Sequence, residues 1–243
     1  MQPYPSIALI GAASGWGAQR RETEDGPHML RDLCLAQRLQ KIGIPARWAA
    51  MVEPMKHVRE CSLAVGLETL PLVAEHAVHL CGEVSRIVRT GAFPVILGGD
   101  HAVAIGTWSG VVDALKACCN FGLIWVDAHM DAHVPATSPS HAYHGMPLAV
   151  LLGSGAEALV NIGGMAPKLN PQHVCLVDVR SFEPAEKAFL DDAGVRVFYR
   201  EEVDERGFAA VMRDAVSIAS SAKGGFGMSI DLDAFDLHEA PGV

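Results

Sequence analysis

Short apolar runs alternate along the chain with longer stretches of helical pattern. The runs are SIALIGA (6 to 12), FPVILGG (93 to 99), GLIWVDAH (122 to 129), HVCLVDVR (173 to 180), VRVFY (195 to 199) and FGMSIDLDA (226 to 234). None alternates strictly between apolar and polar positions, which is the pattern of strands covered on both faces. Between them, Pro27 opens a predicted helix that closes at Gly43, PLVAEHAVHLCGEVSRIVRTG forms another ending at Gly91, and Pro184 opens a third ending at Gly194. Strand alternating with helix predicts right-handed crossovers and an α/β fold: a three-layer α/β/α domain with a mainly parallel, doubly wound sheet. No repeat, low-complexity tract or linker divides residues 1–243, so one domain is expected.

Composition narrows the partners. A formal charge of -9 without clusters of Lys and Arg excludes a nucleic-acid or anionic-membrane surface and leaves a small molecule. Cys34, Cys61, Cys81, Cys118, Cys119 and Cys175 have neither CxxC nor disulfide-framework spacing, and read as reduced core thiols of a cytoplasmic protein. No basic leader precedes the first apolar run, and no run approaches the roughly 18 residues of a membrane span.

Three strand ends carry the same kind of chemistry: GGDHA with His101, WVDAHMDAH with Asp127, His129, Asp131 and His133, and SIDLDAFD with Asp231 and Asp233. In an extended chain the second of these sets every other side chain on one face. The C-terminal strand edge is where open α/β sheets bind ligands, so the three ends are expected to converge. Four carboxylates in one semi-buried cleft need neutralising, and two divalent ions balance them where one leaves excess charge. Oxygen-rich ligation with imidazole and no thiolate favours Mn(II) over Zn(II), and the HExxH and CxxC zinc patterns do not occur. Alone, a DxH or DxD pair is more often a cap or turn than a ligand pair; it is the recurrence at three strand ends that shifts the balance.

GGDH, DAHxD and SxDxD in this order resemble the signature motifs of the arginase, or ureohydrolase, family of binuclear manganese hydrolases, and the resemblance runs over nearly the whole chain. It implies that His101 and Asp131 bind one Mn(II), that His129 and Asp233 bind the other, and that Asp127 and Asp231 bridge the two. It also implies hydrolysis of a guanidino group, with Asp131 accepting a hydrogen bond from the attacking water and His144 of the HGMP turn transferring a proton. By the same resemblance the protein is a homo-oligomer, a trimer or hexamer.

TSPSHAYHGMPLA is similar to the arginase branch rather than to agmatinase-like members, which makes L-arginine the expected substrate and L-ornithine and urea the products. Ser138 and Ser140 match positions that meet the α-carboxylate; Glu183 and Glu186 match the acidic pair near the α-amino group. The two glutamates also read as an ordinary helix N-terminus, where acidic side chains favour the helix dipole. His133 and Ala142 stand where arginases usually carry Asn. His133 then reads as a replacement contact to the substrate carboxylate, as a rim histidine, or as the mark of another substrate: agmatine, guanidinobutyrate or formiminoglutamate. The chain stops at EAPGV, where the family continues with a further strand, a helix and a glutamate that grips the guanidinium. A chain truncated at its C-terminus is therefore expected, the alternative being a metal-binding homologue without catalysis. His28, His57, His76, His79, His173 and His238 lack partner motifs and read as structural, and Met130 as packing.

Overall fold

The computed structural model describes residues 6–54, 66–236 and 238–240; His57 and Cys61 lie outside them. The first strand, β1 (Ile7–Ala12), pairs in parallel with β2 (Ala46–Val52) on one side and β3 (Phe93–Gly98) on the other. A second group runs β6 (Arg196–Tyr199), β5 (Val174–Val179), β4 (Gly122–Val126), β7 (Phe226–Ile230), again with every pairing parallel. The α/β expectation holds, with one difference: among the described residues no backbone pairing joins β3 to β7, so the strands form two hydrogen-bonded groups.

Alternation along β4 shows how the layers form. Leu123 and Trp125 enter one core cluster with Leu80, Val84 and Val112, while Ile124 and Val126 enter another with Val177, Phe198, Val211 and Ala215. A strand buried on both faces gains nothing from polar alternation, hence the continuous apolar run. The first cluster is roofed by α3 (Leu70–Val88) and α4 (Val103–Leu115), the second by α9 (Phe208–Ala219), which follows the short α8 (Arg200–Arg206) at Gly207. No helix among the described residues is long and apolar enough to cross a membrane.

Three departures from the sequence reading have local causes. The predicted helix from Pro27 to Gly43 is two helices, α1 (Gly26–Asp32) and α2 (Leu35–Lys41), because Cys34 between them adopts a left-handed φ of 58°. No strand was expected at β2, whose ARWAAMV lacks the β-branched density of its neighbours. Finally, β4 ends at Val126 and β7 at Ile230, so the acidic residues after them sit on turns rather than on extended chain.

The remaining helices are α5 (Pro147–Leu151), α6 (Glu157–Val160) and α7 (Pro184–Ala193). Across the seam between the two strand groups, Trp108 of α4 lies under β7. A Cβ on Gly227 would come 2.4 Å from the indole, so only glycine admits this approach.

Candidate metal centre

His101 leaves the end of β3 and crosses the seam to the second group. Its Nε2 is 2.9 Å from Ser229 Oγ of β7, and its ring stacks on Trp125 of β4 with centroids 4.3 Å apart. The other nitrogen, Nδ1, lies 3.0 Å from Asp127 Oδ2, 2.9 Å from Asp131 Oδ2 and 3.0 Å from Asp231 Oδ2. No hydrogen bond satisfies Nδ1, although the atom is buried. A buried nitrogen facing three carboxylate oxygens without a hydrogen bond to any of them fits a lone pair aimed at a shared cation.

The second half of the cluster belongs to the turn after β4 and the turn after β7. His129 Nδ1 is 2.9 Å from Asp233 Oδ2 and 3.6 Å from Asp127 Oδ1. Donor atoms of His101, Asp127 and Asp231, and those of Asp127, His129 and Asp233, form two groups close enough to hold an ion each, sharing Asp127. The six ligand candidates of the sequence thus come together.

Local backbone contacts hold them in place. The Asp127 backbone N–H donates to Val177 O of β5, and the Asp231 N–H to Val126 O, tying each turn to the neighbouring strand. Asp127 Oδ1 accepts from the His129 N–H at 2.7 Å, and Asp127 Oδ2 accepts from Trp125 Nε1 at 3.0 Å. Asp131 adopts a left-handed φ of 50°, a conformation aspartate tolerates better than most residues. That turn ends the simple alternation of Asp127, His129, Asp131 and His133: Asp131 joins the cluster and His133 does not.

The electrostatics of the cluster call for positive charge. Burial first, and then the neighbouring Asp127 charge, raise Asp131 to about 8. Hydrogen bonding to Asp127 and Asp233 raises His129 to about 11. His101 is also held well above its ordinary value, the three carboxylates outweighing a large desolvation penalty. Asp231 falls below the usual range because its contact with His101 outweighs burial. Protons retained this strongly show a cluster short of positive charge, which divalent cations could supply, and the donor set is nitrogen and oxygen without sulfur.

His144 stands in the 3-10 turn Tyr143–Gly145. Its backbone N–H donates to Gly17 O at 3.0 Å, and the Gly17 N–H donates to Asp100 Oδ2 at 2.9 Å, so the turn is anchored to the residue preceding His101. Burial lowers its basicity, and the charges of His101, Asp231, His129 and Asp127 all act on it, which sets it beside the cluster.

The expected substrate-end residues form a neighbouring group. His133 Nε2 is 3.0 Å from Glu183 Oε2 and 3.3 Å from Glu186 Oε2, while Nδ1 is 3.1 Å from Thr137 Oγ1. Glu186 is buried and uses both oxygens, accepting from the Ala132 N–H at 3.0 Å and the Glu183 N–H at 3.1 Å. Ser138 is buried with its Oγ 3.4 Å from that of Ser140, whose oxygen caps the Ala142 N–H. Ala142 is wholly buried.

The Arginase family profile matches residues 5–243. The chain belongs to the arginase family. Arginase from Bacillus caldovelox is 37% identical over 98% of this chain and 79% of its own length. The crystal structure of Bacillus subtilis arginase superposes with a TM-score of 0.88 at 34% identity, over 99% of this chain and 79% of that one. Entamoeba histolytica arginase, solved in complex with L-ornithine, superposes at 0.87 with 26% identity, over 98% of this chain and 79% of that one.

Within this cluster, sequence reasoning missed the side chains that support the ligand candidates. Trp125 and Ser229 lie inside apolar runs and signal nothing by type. Arg180, after β5, grips the turn that carries Asp233: its guanidinium donates to the carbonyls of Asp233, Ala234 and Phe235 and pairs with Asp178. The Asp178 and Arg180 pair closing the apolar strand, as in CLVDVR, was the available signal.

Proposed function

We propose that this chain is a single-domain hydrolase of the guanidino group that converts L-arginine to L-ornithine and urea with two Mn(II) ions. The observation that carries the reading is the buried, unsatisfied Nδ1 of His101 among the oxygens of Asp127, Asp131 and Asp231, in a chain of the arginase family. His101 and Asp131 would hold one ion and His129 and Asp233 the other, with Asp127 and Asp231 between them. When bound, the two ions supply a water ionised near neutral pH.

The chain's own side chains do the rest. Asp131 accepts a hydrogen bond from the attacking water and orients it toward the guanidinium carbon. As the C–N bond to the ornithine side chain breaks, His144 delivers the proton that the leaving amine requires. Its lowered basicity suits it to give that proton up. Ser138 and Ser140 meet the α-carboxylate, and Glu183 and Glu186 face the α-amino end. His133 belongs to this substrate end. Both of its nitrogens engage protein groups, which favours its acting on the substrate through Glu183. The protein is cytoplasmic and works as a homo-oligomer, a trimer or hexamer.

The same feature of His133 supports a second reading, a guanidino or formimino substrate with a different tail. Urea or formamide release with Mn(II), measured on arginine, agmatine, guanidinobutyrate and formiminoglutamate, separates the two. Arginine should give the highest kcat/KM. A preference for agmatine, which has no carboxylate, overturns the arginine assignment, and no release from any of the four overturns hydrolysis.

A further inference from the structure

Far from the metal centre, the turn between α4 and β4 brings two adjacent thiols together. It lies at the start of β4 while Asp127 follows its end, roughly 16 Å away along five residues of strand. Side chains of neighbouring residues ordinarily diverge. Here Cys119 adopts a left-handed φ of 55°, its N–H donating to Lys168 O at 2.8 Å, and both side chains turn the same way. The Cys118 and Cys119 thiols donate to one acceptor, Pro167 O, at 3.0 and 3.3 Å, and their sulfurs are 3.9 Å apart. Sequence reading treats these cysteines as core, but both are only half-buried.

The spacing discriminates between uses of two thiols. Adjacent Cα atoms are ~3.8 Å apart across a trans peptide, shorter than the ~4.4–6.8 Å that disulfides span, so oxidation to a disulfide meets strain. Two thiolates on a tetrahedral ion at ~2.3 Å each lie about 3.8 Å apart, which is the separation found here. Lys168, whose carbonyl takes the Cys119 N–H, is buried with its ammonium donating to Val160 O and Met165 O. Burial and the neighbouring Cys118 push the Cys119 thiol above its usual range, so its proton leaves on metal binding.

We propose that Cys118 and Cys119 form a dithiolate site for a thiophilic divalent cation of the zinc and cadmium kind, separate from the His/Asp cluster. Binding breaks two S–H bonds, forms two metal–sulfur bonds and releases two protons to solvent without any change of oxidation state. Pro167 O, relieved of its two thiol donors, becomes available as a third ligand.

Cd(II) added to the Mn-loaded full chain tests this through the ultraviolet thiolate-to-cadmium absorption band. One Cd(II) per chain should produce the band with release of two protons, and Cys118→Ser or Cys119→Ser should weaken that binding about 100-fold or more. Cys34→Ser, at an exposed and separate thiol, should leave it unchanged. Absence of the band, or a band that survives both turn variants, overturns the site. Should those variants fold poorly, alkylation of the unmutated protein decides: Cd(II) must protect Cys118 and Cys119 but not Cys34, and equal labelling with and without Cd(II) refutes the proposal.

Discussion

The imidazole of His101 lies flat on the indole of Trp125, the two planes 15° from parallel, and the same indole donates its N–H to Asp127. One side chain therefore orients two metal-ligand candidates from two strand groups. Trp125→Phe keeps the stacking surface and removes the donor. Mn(II) affinity should fall roughly 10- to 100-fold, as for other groups that orient ligands. A titration that finds the affinity unchanged would show the indole N–H to be irrelevant.

Asp231 stands in the shared part of the cluster, 3.0 Å from His101 Nδ1. Asp231→Ala should lose bound Mn(II) and urea release together. Metal analysis of the purified variant checks this, and a variant that retains two ions per chain contradicts a bridging role.

His144 should separate chemistry from metal content. Its anchor is its backbone N–H on Gly17, which substitution of the side chain preserves. His144→Ala should keep its ions and lower kcat roughly 100-fold or more. An unchanged kcat rejects proton transfer by this residue.

Glu186 and Glu183 sit one turn apart but differ in what their loss exposes. Removing the Glu186 carboxylate strands the N–H groups of Ala132 and Glu183, so Glu186→Ala should cost about 2–4 kcal/mol in denaturant unfolding. Glu183 is half-exposed and serves as the N-cap of α7, so Glu183→Ala should cost less, about 1 kcal/mol. Equal losses would contradict this division.

His76, on α3 away from the metal centre, gives a pH signature. Burial pushes it from 6.5 down to about 4, with Nε2 3.2 Å from Val52 O. The unfolded chain takes up a proton near pH 6.5 that the folded chain refuses until about pH 4. Stability present above pH 6.5 is thus lost as pH falls through that window, by about 3 kcal/mol at most. His76→Gln should flatten that part of the stability curve, measured by urea unfolding between pH 4 and 7. Parallel curves for the two proteins would exclude His76 as a source.

The cluster was legible because carboxylate and imidazole at the C-terminal edge of an apolar run have few other reasons to recur, and the ligand candidates His101, Asp127, His129, Asp131, Asp231 and Asp233 do converge. What was not legible depended on strand order and on single backbone angles. Nothing in WVDAHMDAH announces the left-handed φ at Asp131 that sends His133 toward Glu183. Stacking of His101 on Trp125 requires knowing that the turn after β3 meets β4 across the seam. The break at Cys34 hides in an uninterrupted helical pattern for the same reason: a single φ outweighs seventeen residues of periodicity from Pro27 to Gly43.

Because β3 and β7 share no backbone pairing among the described residues, the two candidate ion positions are unequal. The one formed by Asp127, His129 and Asp233 is assembled wholly within one hydrogen-bonded unit, and relative sliding of the strand groups leaves its dimensions intact. The one that needs His101 spans two units, so its dimensions depend on the offset between them and on the contacts by which Trp125 and Ser229 hold the imidazole. With two ions bound as proposed, the straddling position should be the first to empty under a chelator and the last to refill, which stepwise metal removal followed by metal analysis would show.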